Sequence, residues 1–241
     1  MNSSLLVFDL DGTLVDTAPD LISTLNLVLS REGLPPVGYD HARRMIGGGS
    51  RRMIERALIA EGHSVPGTEL DRIFRGFINH YSAHLADRSR PFPHLETMLK
   101  RLTAKGLRLA VCTNKLERLA VRLLDAVKLS NYFAAICGQD TFGMQKPDPQ
   151  MLRLTIRRAG GELHRAVMVG DSRTDVRTAR AANVPVIAVD FGYSEVSVAT
   201  LHPDRVIGSF AELPAALAAV ERKYSPATAT AAAPIAGTDQ H

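Results

Sequence analysis

Short apolar runs punctuate the chain at residues 5–8, 107–112, 133–137, 166–169 and 184–189, each bounded by Gly, Asp, Asn or Pro. Runs that are apolar at successive rather than alternate positions are expected of strands buried on both faces of a parallel sheet. Between them the period changes to that of a helix. Leu95, Met98, Leu99 and Leu102 recur at i, i+3, i+4 and i+7; Leu116, Leu119, Ala120 and Leu123 repeat this rhythm, and Leu152, Ile156 and Ala159 fit it. Strand–helix alternation predicts an α/β fold with a doubly wound parallel sheet, right-handed crossovers, and ligands bound beyond the carboxyl ends of the strands.

Residues 17–88 break the rhythm. They carry no β-branched run and read as helices over residues 19–31, 50–61 and 68–86, separated by "GLPPVG" and "GHSVPG". A helical insert just after the first strand is a candidate cap over the strand ends. The expected organisation is a core of residues 1–16 and 89–223, a cap of residues 17–88, and a tail of residues 224–241. The tail composition, Ala, Thr, Pro and Gly with little to bury, predicts disorder. Asp16 stands where a side chain would cap the first cap helix.

A chain of 241 residues, 45% apolar, can bury one sizeable core and a small appended unit. Twenty-nine basic against 25 acidic residues give a formal charge of +4, without a nucleic-acid-binding stripe. No stretch is long and apolar enough to span a bilayer, and no secretory signal is visible, so the cytoplasm is the expected compartment. Cys112 and Cys137 lie in apolar runs and read as reduced core thiols. Lysine is absent before residue 100.

The chemistry concentrates at the predicted strand ends. The first run delivers Asp9 and Asp11 into a glycine turn; the second ends in Thr113 and Asn114; "MQKPDP" places Lys146 before a helix; "VMVGDSRTDV" ends in Asp171 with Asp175 four residues on. Like charges as close as Asp9 and Asp11 repel unless a cation intervenes. Oxygen-rich carboxylates without His or Cys partners suit a hard cation, and Mg²⁺ is the usual one beside phosphate. Such a set suits phosphoryl transfer, with one Asp as nucleophile and the other as proton donor and acceptor.

"FDLDGTLVDT", "CTNK", "QKPDP" and "GDSRTD", in this order, resemble the four signature motifs of the haloacid dehalogenase superfamily of phosphohydrolases, and the insert resembles that superfamily's small helical cap. Within it, "DGTLVDTAPDL", "FGYSE" and "HPDRVIGSFAEL" are most similar to the phosphoglycolate phosphatases. The resemblance covers residues 5–222. It implies Asp9 as nucleophile and metal ligand, and Asp11 as general acid/base with its backbone carbonyl on the metal. It implies Thr113, Asn114 and Lys146 around the phosphoryl oxygens, Asp171 as a direct metal ligand, and Asp175 acting through water or by orienting neighbours. The implied activity is a Mg²⁺-dependent phosphomonoesterase with an aspartyl-phosphate intermediate, acting on a small phosphorylated metabolite, most simply 2-phosphoglycolate. Neither nucleic acid nor membrane is an expected partner, and a monomer or homodimer is expected.

Other readings narrow against particular residues. A dehalogenase does not need an acid at the position of Asp11, and a phosphonate hydrolase would need a cap lysine, which this cap lacks. A sugar phosphomutase, a phosphatase for another sugar phosphate or for pyrophosphate, and a non-catalytic phospho-ligand binder stay open. There is no P-loop. "GGGSRR" could cradle an anion, making Gly48, Gly49 and Arg51 specificity candidates, with Arg52 beside them. His80 and His84 have a zinc-compatible spacing without a third ligand and read as solvated. His94, where relatives often have glycine, reads as a helix start.

Overall fold

The computed structural model describes residues 4–224. Eight strands lie among them: β1 (Leu5–Phe8), β2 (Val15–Asp16), β3 (Arg90–Pro91), β4 (Arg108–Cys112), β5 (Ala135–Cys137), β6 (Ala166–Gly170), β7 (Val186–Val189) and β8 (Arg205–Ile207). The helices are α1 (Ala18–Arg31), α2 (Tyr39–Arg43), α3 (Ser50–Ala60), α4 (Gly67–Ala83), α5 (Leu95–Ala104), α6 (Glu117–Ala126), α7 (Pro149–Arg158), α8 (Arg173–Ala182) and α9 (Leu213–Lys223). Six strands form one parallel sheet in the order β5-β4-β1-β6-β7-β8.

Each continuous apolar run feeds two cores because its side chains alternate across the sheet. Leu6 and Phe8 face one side with Leu109, Val111, Val167 and Val169, against α5, α6 and α9. Leu5 and Val7 face the other with Ala110, Cys112 and Met168, against α7 and α8. The sheet is therefore doubly wound. Chain order steps away from β1 to β4 and β5 on one side, then to β6, β7 and β8 on the other. The topological switch falls at β1, which fixes the ligand crevice beyond its carboxyl end.

Several elements differ from the sequence reading. The run 133–137 is a strand only from Ala135, since a tight turn occupies Ser130–Tyr132, and the run 184–189 only from Val186, after Pro185. Strand β8 escaped notice: three residues with Arg205 and Val206 exposed carry no apolar run, as befits a sheet edge. The insert contains four helices rather than three; α2 is five residues long and buries only Ala42. Tyr224, assigned by composition to the tail, closes α9. Its N–H donates to the Val220 carbonyl (3.1 Å) and its hydroxyl to Asp204 Oδ1 (2.8 Å). The rest of the expected tail lies outside the described residues. Cys112 and Cys137 are register partners on β4 and β5, both buried free thiols. No helix of the described residues is long and apolar enough to cross a membrane.

The helical insert leaves and re-enters through a two-strand ribbon, β2 antiparallel to β3, with Asp16 opposite Arg90. Buried Asp20 on α1 pins the return: its carboxylate accepts from the N–H groups of Arg88 (3.0 Å) and Ser89 (2.8 Å) and from the Ser89 hydroxyl (2.7 Å). Nothing in "PDL" announces this role. The sheet face bearing Leu6 and Phe8 shares a continuous apolar cluster with Ile54, Phe77 and Tyr81 of the insert.

Replacing Asp20 strands these buried donors. Asp20→Ala is expected to destabilise the protein by about 3 kcal/mol, the cost of several unsatisfied buried groups, read as a lower urea midpoint with an unchanged slope.

Candidate active site

Asp9 is the first residue past β1. Its N–H continues the ladder to the Val169 carbonyl (2.9 Å), so the carboxylate emerges at the switch point. Its Oδ1 accepts from the Leu10 N–H (2.7 Å) and pairs with Lys146 Nζ (2.8 Å), while Oδ2 has no partner among the described residues. The chain then turns sharply: the N–H groups of Leu14 and Val15 both reach the Leu10 carbonyl (3.0 and 3.1 Å). Gly12 enables the turn with φ 82°, and a Cβ there would lie 2.4 Å from Asp171 Oδ2.

That turn separates the two carboxylates of "DLD" electrostatically. Asp11 is held not by Lys146 but by Lys115, whose Nζ lies 2.8 and 3.0 Å from its two oxygens, and by the Thr17 hydroxyl (2.7 Å). Lys115 ends the "CTNK" motif, and the resemblance implies no role for it. Burial would lower its pKa, but the Asp11 carboxylate outweighs burial and holds the ammonium charged.

Beyond β6, Asp171 accepts from the Thr13 hydroxyl (3.0 Å) and the Tyr193 N–H (2.7 Å). Asp175 closes a capping box at the start of α8, taking the Ser172 N–H and hydroxyl on Oδ2 (3.0 and 2.6 Å). Its Oδ1 meets Lys146 Nζ at 2.6 Å. Lys146 is thus wedged between Asp9 and Asp175. The Asn114 side chain fixes the Lys146 main chain from both ends, Oδ1 accepting from its N–H (2.8 Å) and Nδ2 donating to its carbonyl (3.1 Å). The Thr113 hydroxyl accepts from the Lys115 N–H (3.2 Å).

Asp9, Asp171 and Asp175 each bring one oxygen within 4.8 Å of the others, all three buried. The Asp11 side chain is not part of this trio. One buried ammonium, Lys146, pairs with two of the three buried carboxylates, Asp9 and Asp175, and not with Asp171. Burial pushes the Asp9 carboxyl up to about 7, with Lys146 opposing and Asp175 adding to the rise. Burial, then Asp175 and Asp9, push Asp171 up to about 8. A buried, all-oxygen, charge-deficient cluster fits a hard divalent cation.

The cavity before these groups is lined by Asp9, Asp11, Thr113, Asn114 and Lys115 on the sheet side, and by Leu21, Ile46, Gly47, Gly49, Ser50 and Met53 of the helical insert; it is narrow, about 20 Å³. Gly49, a specificity candidate, lines it. Gly48 and Arg51 do not. Gly48 packs beneath Arg52, and Arg51 turns away to pair with Asp71 (2.9 Å). In their place stand Gly47 and Ser50, the latter opening α3. Asp16 does not cap α1. Its Oδ1 accepts from the Tyr193 hydroxyl (2.6 Å), and the Tyr193 oxygen accepts the N–H groups of Thr17 (2.7 Å) and Ala18 (3.0 Å). A core tyrosine thus caps the helix, a long-range contact that no local pattern discloses. His80 and His84 stack on the cap 4.4 Å apart, His84 pairing with Asp87, away from the cavity. His94 is exposed at the start of α5 with φ 65°, a backbone that glycine adopts at less cost.

The fold and the carboxylate cluster define a class. A family model for haloacid dehalogenase-like hydrolases matches residues 6–189, and the chain belongs to that family. More particularly, it is similar to the phosphoglycolate phosphatases of Mesorhizobium japonicum (48% identical, covering 90% of this chain and 96% of that protein) and Agrobacterium fabrum (48%, 89% and 92%). Among solved structures it is similar to a predicted phosphoglycolate phosphatase from Haemophilus somnus: TM-score 0.82, 28% identity, 89% of this chain and 98% of that one.

A carboxyl that holds its proton more tightly in the folded than in the unfolded chain stabilises the fold below its unfolded pKa. That contribution is lost as pH rises through the folded value. With Asp9 and Asp171 raised from 3.8 to about 7 and about 8, the metal-free protein should lose melting temperature progressively from about pH 4 to pH 8. A saturating divalent cation should restore most at the alkaline end. A thermal-shift series across pH, with and without the cation, checks both.

Proposed function

We propose that the protein is a Mg²⁺-dependent phosphomonoesterase that hydrolyses 2-phosphoglycolate to glycolate and phosphate through an aspartyl phosphate on Asp9. The observation that carries this reading is the separation of the two carboxylates of one turn. Asp9 sits in the metal-suited cluster with an unpartnered oxygen, and Asp11 faces the same cavity with a different counterion. The identity to named phosphoglycolate phosphatases over nearly the whole length supports the substrate.

In the first half-reaction an Asp9 carboxylate oxygen attacks phosphorus. The P–O bond to the leaving group breaks, and its electron pair is protonated by Asp11, releasing glycolate. In the second, Asp11 takes a proton from water, the water oxygen attacks phosphorus, and the acyl-phosphate P–O bond breaks to return Asp9 and release phosphate. Asp9, Asp171 and Asp175 would hold Mg²⁺, which would neutralise charge on the transferring phosphoryl group. Lys146 adds the second positive charge beside Asp9. Thr113 lines the phosphoryl site, and Asn114 acts as a positioning residue that locks the Lys146 backbone. Gly49 and Ser50 close the cavity from the cap. We assign the core to residues 4–16 and 89–224 of the described chain with the cap between, a cytoplasmic location, and a monomer or homodimer.

Turnover of 2-phosphoglycolate, other small phosphomonoesters and pyrophosphate, followed by phosphate release, tests the reading. 2-Phosphoglycolate is expected to lead, EDTA to abolish turnover and Mg²⁺ to restore it. Asp9→Asn should be inactive and Asp11→Asn slowed by about 10²–10⁴-fold; full activity in Asp9→Asn refutes the mechanism.

A further inference from the structure

A leaving group that carries a carboxylate needs a cation beyond the two charges that serve the phosphoryl group. The insert has no lysine, and three of its arginines are engaged away from the cavity. Arg43 donates to the Phe191 and Gly192 carbonyls (3.0 and 2.9 Å), Arg51 pairs with Asp71, and Arg56 with Glu195 (2.5 Å). None of these, nor any other arginine of the described residues, lines the catalytic cavity; Lys115 is the cation that does.

Lys115 is built for the task. Its backbone is clamped: the carbonyl accepts from the Gln139 N–H (3.1 Å), and a Cβ on Gly138 would lie 2.5 Å from that carbonyl oxygen. The side chain carries its ammonium into the cavity beside Asp11 and under the cap. It lies 4.7 Å from the ring centroid of Tyr81 on α4, a fully buried residue whose hydroxyl makes no hydrogen bond among the described residues. Its position also fits. Asp11 must reach the bridging oxygen to protonate it, and in 2-phosphoglycolate the carboxylate carbon is two bonds from that oxygen. A cation within hydrogen-bond distance of the Asp11 carboxylate is therefore within reach of the substrate carboxylate as well.

We propose that Lys115 is the specificity-determining residue of the site: its ammonium, held by Asp11 in the free protein, is shared with or passed to the carboxylate of the leaving group. This rests on the phosphoglycolate reading above. Phosphomonoesters without a carboxylate leave Lys115 on Asp11 and gain nothing from it, so discrimination arises from the last residue of "CTNK" and not from the arginines of the insert.

The test compares 2-phosphoglycolate with ethyl phosphate, which lacks the carboxylate, in the wild type, Lys115→Met and Lys115→Arg, with folding of each verified by thermal melting. The wild type is expected to prefer 2-phosphoglycolate. Lys115→Met should lose about 10–100-fold more kcat/KM for it than for ethyl phosphate, chiefly in KM, the size of one charge-assisted hydrogen bond, and Lys115→Arg should recover part of the preference. The same loss should appear as weaker calorimetric binding of 2-phosphoglycolate when Lys115→Met is added to the non-hydrolysing Asp9→Asn protein; unchanged binding overturns the proposal. Equal losses on both substrates would assign Lys115 to orienting Asp11 alone and also overturn it, as would an unchanged preference. A wild type without preference would instead overturn the substrate assignment itself.

Discussion

The structure depends on balancing negative charge at the carboxyl end of β1. Four carboxylates, Asp9, Asp11, Asp171 and Asp175, converge there, all but Asp11 fully buried, with two ammonium groups, Lys115 and Lys146, against them. Buried charge of one sign is costly, and the cost falls only with close counterions, complete hydrogen bonding, or a bound cation. The surroundings of β1 follow from that requirement. Glycine at position 12 lets the turn pass against Asp171, and glycine at position 192 leaves room for the same side chain, where a Cβ would approach Asp171 Cβ to 2.2 Å. The capping box of α8 saturates Asp175, and Asn114 is spent on holding the Lys146 backbone.

The same network ties the helical insert to the sheet. Tyr193 joins the two with one residue: its N–H holds Asp171, and its hydroxyl bridges Asp16 and the first amides of α1. Lys115 makes a second link, from the Asp11 carboxylate to the Tyr81 ring on α4, and Asp20 a third, at the ribbon where the chain returns. A shift of the helical insert against the sheet therefore changes the surroundings of Asp11 and of the metal-suited cluster together.

Much of this was legible because it is local or periodic. The buried strands announce themselves as apolar runs, and Asp9, Asp11, Lys146, Asp171 and Asp175 as polar residues at their ends, where parallel-sheet topology must gather them. What escaped was non-local. Asp16 looked like a helix cap because capping is read from neighbours, whereas its partner Tyr193 lies 177 residues away. Arg51 looked like an anion ligand until Asp71, 20 residues on, claimed it. Strand β8 was too short and too exposed to register as a strand.

The amino-acid sequence by itself determined the layered α/β architecture, the position of the insert and the chemistry gathered at one sheet edge, because periodicity and strand-end placement are properties of the chain. Only the tertiary structure decided which cation serves which carboxylate. The motif resemblance places Lys146 by Asp9, but nothing in the neighbours of either lysine says that Lys146 also belongs to Asp175 and Lys115 to Asp11. Charge pairing is set by distances of a few ångströms between segments far apart in the chain, and those distances exist only once the sheet has assembled.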